Sequence, residues 1–297
     1  MDFKWLEERR RGIGGSDAPA ILGLSKWKTP YQVYLDKLGE GEPIDDNPAM
    51  EWGRRLESAV IKKYCDETGN KVYVPGKDKI LVHPVYDYIL ASLDGVVDTG
   101  RVLEAKTART AEGWGEPGTD EVPDIYQVQV HHYMAVTGLE VADIPVLIGG
   151  SDFRIYTVER DQELIDIILE MEAMFWERVQ KKDPPDPVNL TDLLTKFGIS
   201  QPKKVEANEE IIDAISGIKQ IKDAISDLKS REDALKIKVF SHMGEADTLT
   251  NHDAVLATWK SAKGAKRFDA KTFQGEQPEL YAKYLKTAEP SRRFLVK

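Results

Sequence analysis

Cysteine is nearly missing from this chain: Cys65 is the only one in 297 residues. An internal disulfide is therefore excluded, which suits a reducing compartment. The setting LESAVIKKYCDE reads as a helix position that packs. Long apolar runs are missing too. None approaches the ~20 residues that cross a bilayer, and the opening MDFKWLEERR has no apolar signal core. The expectation is a cytoplasmic protein with no membrane partner. Basic charge is in deficit, with 41 Lys and Arg against 51 Asp and Glu and a net charge of −10. Taken whole, that balance disfavours a phosphate backbone as ligand. The five histidines are scattered. His131 and His132 are adjacent and point apart on a helix, so they do not chelate, and His83, His242 and His252 are isolated. GIGG at residues 12–15 is not a G-x-G-x-x-G and follows no strand, which argues against a dinucleotide fold. There is no internal repeat and no low-complexity tract.

What is present describes a soluble globular protein: 41% hydrophobic and 31% charged residues. The length allows one large domain or two ordinary ones. The charge is uneven. Arg9, Arg10 and Arg11 are consecutive, and Thr258 to Lys297 hold ten Lys and Arg against four Asp and Glu. Such local fields can steer a polyanion to an acidic protein. An acidic total also follows if carboxylates gather around a metal.

Periodicity orders the elements. TPYQVYLDKLG reads as a helix with Thr29 as N-cap, Pro30 at the first position and Gly39 as stop. GEPIDDNP reads as a loop. AMEWGRRLESAVIKKYCDETG is a longer helix, with Trp52, Leu56, Val60 and Tyr64 as its buried stripe. KVYVPG, KILVHP, YILASLDGVVD and RVLEAKT read as a meander of short strands. DIYQVQVHHYMAVTG is helical, with Ile125, Val128, His132 and Ala135 on one stripe. VADIPVLIGG and FRIYTVER are strands, and QELIDIILEMEAMFWERVQKK is an amphipathic helix. The class is α+β or mixed α/β, with a central mixed sheet flanked by helices. Residues 184–187 hold three prolines and mark a boundary. The division is a first domain over 1–183, a linker over 184–204, and a helical extension over 205–297. That extension holds one charged helix from Glu206 to Gly244, with a seam from Ile211 to Val239 fit to pair with another helix. A hairpin in AVLATWKSAKGAKRFD, a helix in PELYAKYLK and the tail SRRFLVK complete it.

The chemistry concentrates in ASLDGVVDTGRVLEAKT. Asp98, Thr99 and Gly100 are turn residues between two β-like arms. Glu104 and Lys106 are two apart, so they share a face while Ala105 points to the core. The turn brings Asp94 back beside them. Two carboxylates that converge repel unless a cation lies between them, and oxygen ligands suit Mg²⁺ or Mn²⁺. Such an ion with a lysine beside it points to phosphodiester hydrolysis. Taken alone, E-x-K is equally a surface ion pair.

Beyond the hairpin, five blocks follow in order: Trp5, Arg9, Gly12, Ser16 and Asp17; Trp52, Gly53 and Glu57; Asp94 and Gly95; Glu104 and Lys106; Tyr126 and Gln129 with Ala135 to Gly138. Together they resemble the PD-(D/E)XK nuclease superfamily, and within it the lambda-type exonuclease or YqaJ-like viral recombinase group, over roughly residues 1–180. The resemblance implies metal ligation by Asp94, Glu104, the Ala105 carbonyl and Glu57. It implies a water-activating Lys106 supported by Gln129, and Tyr126 along a DNA channel. It implies that Arg9 and Ser16 hold a 5′-phosphate, with Arg10 as a backbone contact. The alternative for Ser16 and Asp17 is a plain helix N-cap. The proline often found before the first acid is Leu93 here, and it would supply no ligand. The implied activity is a Mg²⁺-dependent 5′-to-3′ exonuclease on double-stranded DNA ends. Its partners would be a single-strand annealing protein of the same phage or prophage and further copies in a ring. The alternatives are an endonuclease on the same core and a non-catalytic DNA-binding protein. Trp27, Trp114 and Trp259 either stack on bases or pack in the core and its rim.

Overall fold

The computed structural model describes residues 3–41, 46–76, 79–286 and 292–297. It divides into two units, Met1–Lys196 and Phe197–Lys297. The first unit opens with helix α1 (Phe3–Arg10), strand β1 (Ile13–Gly14), the single turn α2 (Ala18–Ile21), α3 (Pro30–Leu38) and α4 (Pro48–Thr68). Short strands follow: β2 (Val72–Tyr73), β3 (Leu81–Val82), β4 (Ile89–Ala91), β5 (Gly95–Val97), β6 (Arg101–Leu103) and β7 (Lys106–Ala108). Then come α5 (Asp124–Thr137), the pair β8 (Val141–Ile148) and β9 (Asp152–Glu159), α6 (Gln162–Lys181) and α7 (Leu190–Lys196).

Local chemistry sets the helix ends. The Thr29 hydroxyl accepts the Gln32 N–H at 3.1 Å, and the Gln32 side chain accepts the Thr29 N–H at 3.0 Å, a reciprocal cap for α3. Gly39 and Gly69 close α3 and α4 in left-handed conformations that suit glycine. Part of the GEPIDDNP loop, residues 42–45, lies outside the described residues, as does Ser291 at the start of the C-terminal tail.

The strands do not pair as a meander. β3–β4 and β5–β6 are antiparallel hairpins, but β2 pairs with β5, and β4 joins β1 and β3 in a separate small sheet. The main sheet runs β2-β5-β6-β8-β7, with β9 on β8. β6 and β7 both run parallel to β8 and keep one register, Val102 opposite Ala142 and Lys106 opposite Val146. They are one strand line interrupted at Glu104–Ala105. β8 organises this order because it is eight residues long and buried along most of its length, as a central strand must be.

Helix burial also differs from single stripes. Val128 through Val136 of α5 are all buried, because α5 packs on the sheets and against α2 and α6. On α4, Val60, Ile61 and Tyr64 are buried, whereas Trp52 is 58% exposed. Cys65 is half-buried beside Ile61 and Tyr64. Residues 184–204 are not uniformly extended. Asn189 accepts the Asp192 N–H, and buried Asp192 accepts the Thr29 hydroxyl at 3.0 Å, which fixes α7 within the first unit.

The second unit holds α8 (Glu209–Met243), the hairpin β10 (Thr248–Asn251) and β11 (Ala254–Thr258), α9 (Ala270–Glu276) and α10 (Pro278–Tyr284). The hairpin turns at His252–Asp253, upstream of the place expected, so AVLAT is its second arm. His252 there has φ +50°, a conformation that short polar turns tolerate. Trp259 stacks on Phe240 with ring centroids 4.3 Å apart, tying the end of the hairpin to α8.

Candidate active site

The turn at Gly100, with φ +80°, sets the β5–β6 register. Gly95 opposite Leu103 then puts Asp94 beside Glu104. Asp94 accepts the Ala105 N–H at 2.9 Å. Lys106 donates to Glu104 Oε1 at 2.6 Å and to the Gln129 side-chain oxygen at 3.0 Å. The Gln129 amide donates to the same Glu104 oxygen at 2.8 Å and to the Tyr133 hydroxyl at 2.9 Å. The Lys106 ammonium sits 4.7 Å above the Tyr126 ring. Strand alternation thus aims Glu104 and Lys106 at one face, where α5 meets them with residues one turn apart. Ala105 packs on the opposite side, against the cluster of Ile61, Tyr64 and Leu103.

Electrostatics at this cluster are unbalanced. Burial pushes Glu104 up to about 8, and Asp94 adds to that while Lys106 opposes it. Burial also raises Asp94. For Lys106, burial works against the charge, but Glu104 and Asp94 outweigh it and hold the ammonium above its ordinary range. Glu104 Oε2 is buried without a hydrogen-bond partner in the protein. A raised carboxylate pair with an orphaned oxygen fits a hard divalent cation. Among the described residues no third His, Cys, Asp or Glu closes a chelating group. Glu57 nevertheless lines the same cavity of about 270 Å³ as Asp94, Glu104 and Lys106, together with Gly53 and Arg54.

A second cavity, about 210 Å³, shares Asp94 and Glu104 with the first. Its other walls include Arg9, Gly14, Gly15, Ser16, Ser92, Gln129 and Tyr133. The Arg9 guanidinium donates to the Ser16 hydroxyl. Asp17 stands at the N-cap of α2 but makes no side-chain cap bond. Its carboxylate accepts the Gly14 N–H at 3.2 Å and the Lys37 ammonium at 2.6 Å, with Lys28 at 3.5 Å and Arg9 at 3.9 Å. The N-cap alternative for Asp17 therefore gives way to a buried ionic role. The glycines of this turn answer to close approach. A Cβ on Gly12 would lie 2.2 Å from the Tyr88 carbonyl oxygen, and one on Gly15 would lie 2.4 Å from the Tyr133 ring.

Arg10 is not brought to either cavity. Its guanidinium faces Asp36 of α3 at 3.9 Å. His131 and His132 do diverge. His131 accepts the Asp161 N–H, whereas His132 reaches Glu172 at 2.6 Å and the Leu90 carbonyl at 2.8 Å. His83 accepts the N–H groups of Val85 and Tyr86, a turn cap. Trp114 packs on Tyr126 and Tyr156, and Trp27 is 74% exposed. Sequence reasoning missed Lys37, which reads as an ordinary cation in the last turn of α3, and Tyr133, which reads as core. Neither carried a linear signal, since each acts through a partner distant in the chain.

A central mixed sheet flanked by helices, with Asp94 before one strand and Glu-x-Lys at the break in the next, defines a PD-(D/E)XK nuclease fold. Residues 4–140 match the YqaJ-like viral recombinase domain. The chain is 46% identical over 178 residues to the uncharacterized protein YqaJ of Bacillus subtilis (strain 168), an alignment that covers 58% of this chain and 54% of that one. The chain thus spans about half the length of that relative. Among solved structures it is similar to an alkaline exonuclease from Laribacter hongkongensis, with TM-score 0.50 and 21% identity over 61% of this chain and 94% of that one. The same enzyme in complex with dAMP matches with TM-score 0.50 over 66% and 98% of the two chains. At that identity the likeness establishes the fold.

Proposed function

We propose that this protein is a Mg²⁺-dependent exonuclease that digests linear double-stranded DNA from 5′ ends and leaves 3′ single-stranded tails for recombination by annealing. One observation carries the reading: the carboxylate pair Asp94 and Glu104 borders both the cavity of Glu57 and Lys106 and the cavity of Arg9 and Ser16. A scissile phosphate on one side and a terminal phosphate on the other is what end-dependent cutting requires. The names of the similar proteins, a viral recombinase domain and an alkaline exonuclease, support the same class.

Asp94, Glu104, the Ala105 carbonyl and Glu57 would hold the divalent ion, Mg²⁺ or Mn²⁺, as one ion or two. When bound it supplies charge stabilisation at the phosphate. Lys106 orients the attacking water and offsets negative charge as the P–O3′ bond breaks. Gln129, fixed by Tyr133, holds Lys106 and Glu104 in line. Tyr126 lines the approach of the strand. Arg9 and Ser16 bind the 5′-phosphate by charge-assisted hydrogen bonds. Each cut leaves a new 5′-phosphate on the shortened strand, which is the next ligand for the same pair. The setting is the cytoplasm of a bacterial host of a phage or prophage. A ring of copies around DNA and an annealing protein of the same phage complete the proposal.

The test is a linear duplex phosphorylated at one 5′ end, beside a closed circle, with Mg²⁺ or EDTA. The expected result is loss of the phosphorylated strand from its 5′ end, with the circle intact and no digestion in EDTA. Lys106→Ala loses ~10²- to 10⁴-fold in rate. A cut circle overturns end dependence and makes the protein an endonuclease. Binding of both DNAs without digestion overturns catalysis.

A further inference from the structure

The long helix α8 carries a coiled-coil register along its length. Ile211, Ile218, Ile225, Glu232 and Val239 repeat every seven residues, and Ala214, Ile221, Leu228, Leu235 and His242 form the alternate row. β-branched residues in the first row, Glu232 apart, and mostly Leu or Ile in the second describe a two-helix seam. Within the second unit the seam is largely uncovered, with Ile218 half-buried. Ile221, Ile225, Leu228 and Leu235 are each 58–61% exposed, and Met243 is the one buried residue described on α8. From Ile211 to Val239 it runs ~42 Å at the helical rise. A helix of this amphipathicity stays helical chiefly by burying that face.

The charges say what covers it. The positions flanking the seam hold Lys222, Lys229 and Lys236 on one side and Arg231 and Lys238 on the other, with Glu210 the single acid. Of these, Lys236 already pairs with Glu232 at 2.7 Å, so Lys222, Lys229, Arg231 and Lys238 carry most of the flanking charge. Asp213, Asp223, Asp227 and Asp233 are all on the outward positions. A second copy fits this pattern poorly. A parallel pair would set Arg231 against Lys236 across the interface and place the two Glu232 carboxylates together inside the seam. An antiparallel pair centred between Ser226 and Asp227, with Ile225 opposite Leu228, would set Lys222 near Lys229 of the other helix. Like charges across such flanks select against self-pairing.

We infer that the α8 seam docks an acidic amphipathic helix of a different protein, with Glu or Asp along both flanks and a Lys or Arg opposite Glu232. The inference rests on the second unit and does not depend on the nuclease reading.

The experiment uses the full chain and two synthetic 30-residue helical peptides. Both carry Ile and Leu in the seam and Lys opposite Glu232; one has Glu on its flanks, the other Lys. Binding is read by fluorescence anisotropy at two salt concentrations, and self-association by light scattering. The full chain is expected to bind the acidic peptide at least ~10-fold more tightly than the basic one, with the gap shrinking in high salt. Ile225→Asp with Leu228→Asp should abolish binding and leave digestion of DNA unchanged. Lys222→Glu, Lys229→Glu and Lys236→Glu together should reverse the peptide preference. Equal binding of both peptides, or of neither, refutes the inference. So does an oligomer of the chain alone that the Ile225→Asp, Leu228→Asp variant dissociates, which would make a second copy the occupant. If the triple Glu variant loses affinity for duplex DNA while the double Asp variant keeps it, the cationic flanks serve nucleic acid and the inference also fails.

Discussion

Replacing Asp17 by Asn tests whether the buried ionic cluster organises the Arg9 cavity. Asp17 is 1% exposed, and its nearest cation, Lys37, has a side chain equally buried, at 2.6 Å. Burial alone would raise the Asp17 carboxyl, but Lys37, then Arg9 and Lys28, outweigh burial and hold it well below the usual carboxylate range. Lys37 is the weaker member, because burial pulls its ammonium below the ordinary lysine value despite Asp17. Asn keeps the shape and removes the charge, so Lys37 is left buried and uncompensated. Breaking a buried pair from one side costs ~3–5 kcal/mol, whereas exchanging both partners for apolar groups is often near neutral. Urea unfolding should therefore show Asp17→Asn destabilised by about that amount, and Asp17→Leu with Lys37→Met recovering much of it. The pH dependence has a definite sign. A folded value below the unfolded ~3.9 contributes stability above about pH 4 that is lost as pH falls. The gap between wild type and Asp17→Asn should thus narrow in acid. The proposed 5′-phosphate preference should weaken in Asp17→Asn, because Arg9 loses one of its partners. A cost below ~1 kcal/mol, or a double variant as unstable as the sum of the singles, would refute the cluster as an organising element.

Other outcomes follow from the same geometry. Gly12→Ala and Gly15→Ala should each destabilise, by ~1–3 kcal/mol or more, with Gly12 worse because its clash is with backbone. Gly14→Ala, whose nearest contact would be 3.7 Å, should be mild; thermal melts of the three rank them. Tyr133→Phe should lower kcat ~10-fold with little change in KM, since Gln129 loses a partner outside the reacting groups; steady-state kinetics decide, and a pure KM effect would contradict the positioning role. His132 faces Glu172 and the Leu90 carbonyl from its two ring nitrogens, a setting that favours protons on both. Burial opposes that charge, but Glu172 outweighs it and raises the group. Its stabilisation is complete below the unfolded ~6.5 and is lost as pH rises through the folded value. His132→Gln should therefore cost most at acid pH, and nitrogen NMR showing a neutral ring at pH 6 would contradict the assignment.

The sequence by itself determined the local part of this protein. Thr29, Pro30 and Gly39 bound a helix because caps and stops act within one turn. Asp94, Glu104 and Lys106 could be placed together because a hairpin with a short turn fixes its own register. Gln129 entered through its family motif, and only the packing of α5 on the sheet gives it Lys106 and Glu104 as partners. What depended on pairing between distant segments was decided by the tertiary structure. β8 takes β6 and β7 as parallel neighbours, an order that burial of a central strand selects and that adjacency in the chain does not reveal. Lys37 meets Asp17 across 20 residues, and Arg10 turns to Asp36 and away from the cavity beside it. Trp52 repeats with the buried stripe of α4 yet is 58% exposed, because periodicity marks a face of a helix and not whether each residue on it meets a neighbour.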